Sequence, residues 1–243
     1  MSRDYNKESL DNKRKYAYSF DYDVMQKYMI KAFQPYFRHG TMLELGCFQG
    51  VFTEKLTEYF NDITCIEASS EAVGIAQKNS KLSNVTFIQA MFEDAVLEKK
   101  YDNILLTHVL EHIDDRIALL KKIRKEWLAD EGVFIVACPN AYAPSRQIAV
   151  HMGLVEHPEA VTPSEEAHGH RITYSLDTLK HDLVNSGFSI RHCSGIFFKA
   201  LANFQWDRLM QTDIISTEYL DGCYELGIKY PELCSSIYFV CEK

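Results

Sequence analysis

An α/β domain built on a mostly parallel sheet is the fold class predicted for this 243-residue sequence. Two observations carry the prediction. From residue 41 onward, short apolar runs alternate with segments of helical period, and the first run enters a turn with glycines at 46 and 50 that opens into a helix. The strands are placed at 41–45, 62–67, 85–89, 101–107, 133–138, 188–193 and 236–241. Between them Phe52, Leu56 and Tyr59 mark one helical stripe, and Ile113, Ile117, Leu120, Ile123 and Trp127 mark a longer one. A third helix carries its own punctuation: Ser175 suits an N-cap, Leu176, Leu179 and Leu183 form the apolar face, and Gly187 stands where a left-handed C-terminal residue belongs. Only residues 93–100 join strands three and four.

Three stretches fall outside this alternation and are where specificity should reside. They are an N-terminal arm (1–39), a connection (141–174) and a late insertion (195–234). The whole of 1–243 is expected to be a single domain, with 40–140 as its ligand-binding core. The arm is polar to about Tyr16 and then has the pattern of an amphipathic helix through Met25, Tyr28, Ala32 and Tyr36.

Composition removes several classes. The chain is 47% apolar and 25% charged, which is ordinary for a globular domain and excludes disordered, collagen-like and coiled-coil chains. The first 30 residues are crowded with charge, so neither a signal peptide nor a membrane span is expected there, and no later apolar run is long enough to cross. Seven scattered cysteines without a CxxC pair argue against a disulfide framework or a cysteine zinc site, and for a cytoplasmic protein. A net charge of -8 disfavours long polyanions such as nucleic acid.

The strongest local signal is Leu43-Glu44-Leu45-Gly46-Cys47-Phe48-Gln49-Gly50. Glycines let the backbone approach a ligand, and the helix that follows turns its free N–H groups toward an anion. About 20 residues later the second strand ends in Ile66-Glu67-Ala68, where a carboxylate is placed to accept both hydroxyls of a ribose. The Gly-x-Gly-x-x-Gly needed for a dinucleotide pyrophosphate is absent, which weighs against a dehydrogenase.

With these residues the chain resembles the class I S-adenosylmethionine-dependent methyltransferases over roughly residues 40–194. The family pattern, an acid followed by Gly-x-Gly-x-Gly, appears as Glu44, Gly46, Phe48 and Gly50, with phenylalanine for the middle glycine. The resemblance implies a Rossmann-like seven-stranded sheet, mostly parallel with its last strand antiparallel and helices on both faces. It also implies S-adenosylmethionine as cofactor. On that basis Glu44 organises the methionine ammonium and Gly46, Cys47 and Gly50 shape the loop. Glu67 with Ala68 takes the ribose, and Glu93 or Asp94 meets the adenine amino group.

Strand four runs into Thr107-His108-Val109-Leu110-Glu111-His112. If helical from Val109, the run puts His108, Glu111 and His112 on one face. A run of this kind, with a later Pro139-Asn140 and His170-Arg171-Ile172-Thr173, resembles the ubiquinone-biosynthesis and cell-surface-sugar branches of the family. An alcohol acceptor must lose a proton, and histidine titrates in the right range, so His112 and His170 are the candidate bases, with His108 nearer the methyl donor. These residues predict O-methylation of a small or sugar-like acceptor, in cell-surface glycan assembly or secondary metabolism.

Two alternatives accompany this. His108, Glu111, His112 and His170 could together hold a divalent ion, an arrangement that resembles the small-RNA 2′-O-methyltransferases with their Glu-x-x-Glu-His motif. A histidine in the first position favours Zn²⁺, Fe²⁺ or Mn²⁺ over Mg²⁺. The other is a noncatalytic S-adenosylmethionine-binding partner protein, suggested by Phe48 and the aromatic insertion. Arg146 and Arg171 are candidates for a substrate phosphate or carboxylate. Tyr16, Tyr18, Phe20 and Tyr22 are candidates for a lid. Phe197, Phe198, Phe204 and Trp206 are expected to wall the acceptor pocket or to serve core or homodimer contacts.

Overall fold

The computed structural model describes residues 5–8 and 17–243. Seven strands, β1 (Met42–Leu45), β2 (Ile63–Glu67), β3 (Val85–Gln89), β4 (Tyr101–Thr107), β5 (Leu128–Pro139), β6 (Ser189–Ile196) and β7 (Ser236–Glu242), follow the predicted series closely. They form one sheet in the order β3-β2-β1-β4-β5-β7-β6. Strands β1 to β5 pair in parallel, and β7 runs antiparallel between β5 and β6. Because β1 lies between β2 and β4, the chain reverses its direction of winding there and leaves a crevice beyond the carboxyl ends of the strands.

Both faces of the sheet are buried, and successive strand residues divide between them. Met42, Cys65, Leu105 and Ile135 face a core that also holds the arm, whereas Leu43, Ile66, Leu106 and Phe134 face the core under the helices Arg116–Lys122 and Leu176–Asn185. Glu44 follows the alternation and falls on the arm side. Ser175 caps its helix through the Thr178 N–H (3.3 Å), and Gly187 ends it at φ 88°, as the sequence predicts.

The second helical stripe is corrected. No helix starts at Val109. His108 has φ 53°, Leu110–His112 form a single 3₁₀ turn, and Ile113 is extended. The helix begins at Arg116, because Asp115 accepts the Ala118 N–H (3.0 Å) and so caps it. Ile113 still enters the core, but from the turn. Tyr59 likewise lies beyond the helix Val51–Leu56 and contacts Phe37 instead, with ring centroids 5.7 Å apart.

From Asp21 to Tyr36 the arm is a continuous run of helical turns, Asp21–Met25, Gln26–Phe33 and Gln34–Tyr36, packed on the late insertion. Phe20 stacks on Trp206 (5.0 Å) and meets Phe197 edge-on (5.6 Å), while its N–H donates to Asp207 (2.8 Å). Tyr28 stacks on Tyr224 (5.0 Å) and donates to Asp221 (3.0 Å). Phe197 and Trp206 are therefore core residues joining arm to insertion, and Phe204 is exposed. Among the described residues no helix is long and apolar enough to cross a membrane.

Gly227, in the helix Thr217–Lys229, lets that helix touch the backbone of Phe197: a Cβ there would stand 2.6 Å from the Phe197 nitrogen. Gly227→Ala should gain about 1 kcal/mol of helix propensity yet lose more to overpacking, about 1–3 kcal/mol. Thermal unfolding should show a lower midpoint, and an unchanged or raised one would refute the close approach.

Candidate active site

A cavity of about 500 Å³ opens in the crevice and is lined from four directions. The loop after β1 supplies Gly46, Cys47, Phe48 and Gln49, and the end of β2 supplies Glu67, Ala68 and Ser69. The end of β4 supplies His108, Glu111 and His112, while the arm and the two insertions close the remaining sides with Asp21, Tyr22, Gln26, Arg146, His170 and Lys199. A volume of this size falls in the range of small-molecule and cofactor sites.

The loop after β1 is bent by three alternate positions in the left-handed region: Gly46 (φ 78°), Phe48 (φ 47°) and Gly50 (φ 80°). Phe48 adopts the backbone that a glycine would adopt freely. Its N–H donates to Glu67 Oε2 (2.9 Å), and the Ser69 N–H donates to Glu67 Oε1 (2.8 Å), so one carboxylate ties the loop to the turn after β2. Gly46 has no such latitude, since a Cβ there would stand 2.5 Å from Val109 Cγ2.

Glu44 is 2% exposed and lines the same cavity. Its Oε2 accepts from Thr53 Oγ1 (2.6 Å) and Cys65 Sγ (3.5 Å). Burial pushes this carboxyl up to about 7, against the two hydrogen bonds that favour the charged form. Burial also raises Glu67.

At the β4 end, His108 Nε2 bonds Ser236 Oγ on β7 (2.9 Å). Burial, with the nearby positive charges of His170 and Lys199, holds its imidazole down to about 4. His112 and His170 meet edge to face with ring centroids 4.5 Å apart. Ligand atoms of Glu111, His112 and His170 lie within 4.8 Å of one another, and His108 stands outside this group. The shared helical face expected for His108, Glu111 and His112 does not form, because the chain turns left-handed at His108 and sends its ring to β7.

Other expectations shift as well. Glu93 and Asp94 are exposed and do not line the cavity; Met91 and Phe92 from the same segment do. Arg146 is held by Glu165 (2.5 Å), by the carbonyls of Pro158 and Ala160 and by Thr173, so it builds the connection rather than waiting for a substrate. Arg171 pairs with Asp114 (2.7 Å). Of the aromatic lid candidates, Tyr22 lines the cavity, Phe20 is in the core, Tyr18 is outside the lining, and Tyr16 falls outside the described residues. The four insertion aromatics do not line the cavity; the residues their segment sends there are Lys199 and Asn203. Lys199, Asn203, Asp21 and Ser236 were not singled out from the sequence, where isolated polar residues among aromatics give no periodic signal.

A family model described as a methyltransferase domain matches residues 17–193, so the match includes part of the arm as well as the sheet. The chain belongs to the S-adenosylmethionine-dependent methyltransferases. It is 31% identical over 103 residues to nodulation protein S of Azorhizobium caulinodans, covering 42% of this chain and 50% of that one. Similarity to the ubiquinone biosynthesis O-methyltransferase of Sinorhizobium medicae is 24% over 186 residues, 71% of this chain and 69% of that protein. The chain therefore spans half the length of the nodulation protein and about two thirds of the ubiquinone enzyme. Among solved structures, an S-adenosylmethionine-dependent methyltransferase from Mesorhizobium loti superposes with TM-score 0.60 at 15% identity, covering 89% of this chain and 98% of that one.

Gly46→Ala should close the loop on Val109 and weaken S-adenosylhomocysteine binding by about tenfold or more, given the cost of a non-glycine residue at positive φ. Isothermal titration checks this; wild-type affinity in the variant would contradict it.

Proposed function

We propose that the chain methylates a hydroxyl group on a small or sugar-like acceptor, with the His112–His170 pair receiving the proton. The supporting observation is that these two rings lie 4.5 Å apart in the cavity that also holds Gly46 and Glu67. The sulfonium of S-adenosylmethionine already activates its methyl group, so what the protein must add is alignment of the acceptor and a destination for its proton. His108 is neutral near pH 7 and fixed to Ser236, which suits it to hold a polar group in place rather than to take up charge.

On the cofactor side, Glu67 presents the ribose site and Glu44 the ammonium site. Both oxygens of Glu67 already accept one backbone N–H, and each keeps a lone pair for a hydroxyl. The adenine then meets Met91 and Phe92 rather than an acid.

A second reading rests on a different observation. Glu111 is 1% exposed, its Oε2 has no hydrogen-bond partner among the described residues, and its carboxylate lies within 4.8 Å of a ring nitrogen of both His112 and His170. Two histidines and a carboxylate are a donor set suited to Zn²⁺ or Fe²⁺. When bound, such an ion would supply Lewis-acid polarisation of the acceptor hydroxyl. Metal analysis of the purified protein decides between the readings. Stoichiometric metal lost in His170→Ala supports the ion, and full turnover by metal-free protein contradicts it.

Two predictions follow from the assigned roles. His112→Ala and His170→Ala should each cut kcat by about 10²–10⁴-fold on a screened hydroxyl acceptor while leaving S-adenosylhomocysteine affinity intact. Unchanged kcat would overturn the proton assignment. Glu44, with its carboxyl near 7, is mostly protonated at pH 6 and mostly ionised at pH 8. Only the ionised form attracts an ammonium, so S-adenosylhomocysteine should bind about tenfold tighter at pH 8 than at pH 6, and Glu44→Gln should flatten the dependence.

A further inference from the structure

Lys199 lies on the loop that follows β6, in the insertion, and is 7% exposed although it lines the cavity. The two residues that precede it in the chain are fixed. Phe197, at φ 64°, gives its carbonyl to the Ser235 N–H (2.7 Å), and the Phe198 N–H donates to the Cys223 carbonyl (2.8 Å). The ammonium donates to Asn203 Oδ1 and stands 5.5 Å from the centroid of the Phe20 ring.

The negative charge that it faces is Asp21, and both oxygens of that carboxylate are engaged elsewhere: Oδ1 by Asn203 Nδ2 (2.7 Å), Oδ2 by the Tyr18 N–H (3.0 Å). Asn203 stands between the two charges, its Oδ1 accepting from the ammonium and its Nδ2 donating to Asp21, and the Asp21 carboxylate acts on Lys199 through space. An ammonium has three N–H donors, of which Asn203 takes one and an aromatic face satisfies another only weakly. Burial pushes the Lys199 amine down to about 8, as expected of a cation short of partners. The site is thus a fixed cationic donor at the wall of a ligand cavity, and Lys199 is close enough to His108 for its charge to be felt there.

We propose that Lys199, positioned by Asn203 and Asp21, binds an anionic group of the methyl acceptor, a carboxylate or a phosphate. This rests on the reading that the cavity receives the acceptor beside the cofactor. A charge-assisted hydrogen bond in a buried setting is strong and directional, so it would both select acidic acceptors and fix their orientation. The acceptor class it implies is a hydroxy acid or a phosphorylated alcohol. The other ligand carboxylate expected in the cavity is that of the cofactor's own methionine moiety, and the test separates the two.

S-adenosylhomocysteine and 5′-methylthioadenosine, which lacks the amino acid, are first titrated into wild type and Lys199→Met. The expected result is that neither affinity changes by more than about twofold. Loss of S-adenosylhomocysteine affinity alone would assign Lys199 to the cofactor carboxylate and overturn the proposal. Failure of wild type to bind S-adenosylhomocysteine would instead undermine the functional reading beneath it. The S-adenosylhomocysteine complex is then titrated with benzoate, inorganic phosphate and, as a neutral control, benzamide. Benzoate or phosphate should bind wild type while benzamide does not, and Lys199→Met should weaken that binding by about tenfold or more. Lys199→Arg, which keeps the charge, should stay within about threefold of wild type. Binding of neither anion, equal binding of benzamide, or unchanged binding in Lys199→Met would overturn the assignment. The wild-type comparison of benzoate with benzamide needs no variant to fold.

Discussion

The carboxylate of Glu67 accepts the N–H of Phe48 (2.9 Å) and the N–H of Ser69 (2.8 Å), and the shape of the cavity beside the β1 and β2 ends depends on that bridge. Phe48 sits in the left-handed region where a side chain costs about 1–2 kcal/mol. Hydrogen bonds to a charged group contribute about 1.5–3 kcal/mol each, so the bridge offsets the strain and a glycine is not required at that position. The same two bonds leave the carboxylate facing the cavity with acceptor capacity to spare. One residue thereby holds the loop and forms the ligand surface.

The opposite wall is built by long-range packing. The arm reaches the insertion through Phe20, Tyr28, Phe197, Trp206 and Tyr224, and the polar chain Asp21–Asn203–Lys199 crosses the same junction. Segments nearly 200 positions apart meet there, with separations such as 182 between Asp21 and Asn203. The cavity therefore has one side set by local turn chemistry and another by two irregular segments that bury each other's aromatic residues. Under the proposed function, acceptor preference resides on the second side.

How much of this was legible in the sequence follows the same division. The strands were, because each is a short apolar run and the sheet is buried on both faces. Gly46 and Glu67 were, because a turn that needs positive φ and an acid at the end of β2 leave direct marks. The His108 region was misplaced by its apolar spacing, which imitates a helical stripe, while the controlling feature was the cap at Asp115. Glu93 and Asp94 were drawn in by the resemblance of their segment to the family's adenine segment, although exposed acids at a loop are the commoner case. Arg146 was compensated by Glu165 and two carbonyls that no local pattern announces. Lys199 was invisible for the complementary reason: its burial arises from a partner segment at the other end of the chain.

Under the proposed function Glu67 holds the ribose while Glu44 holds the amino-acid end of the same ligand. Isothermal titration of S-adenosylhomocysteine and 5′-methylthioadenosine into wild type, Glu67→Ala and Glu44→Gln tests it most directly. The account predicts that Glu67→Ala loses affinity for both ligands, whereas Glu44→Gln loses affinity for S-adenosylhomocysteine only. Equal losses for both ligands in Glu44→Gln, or wild-type binding by Glu67→Ala, would contradict it.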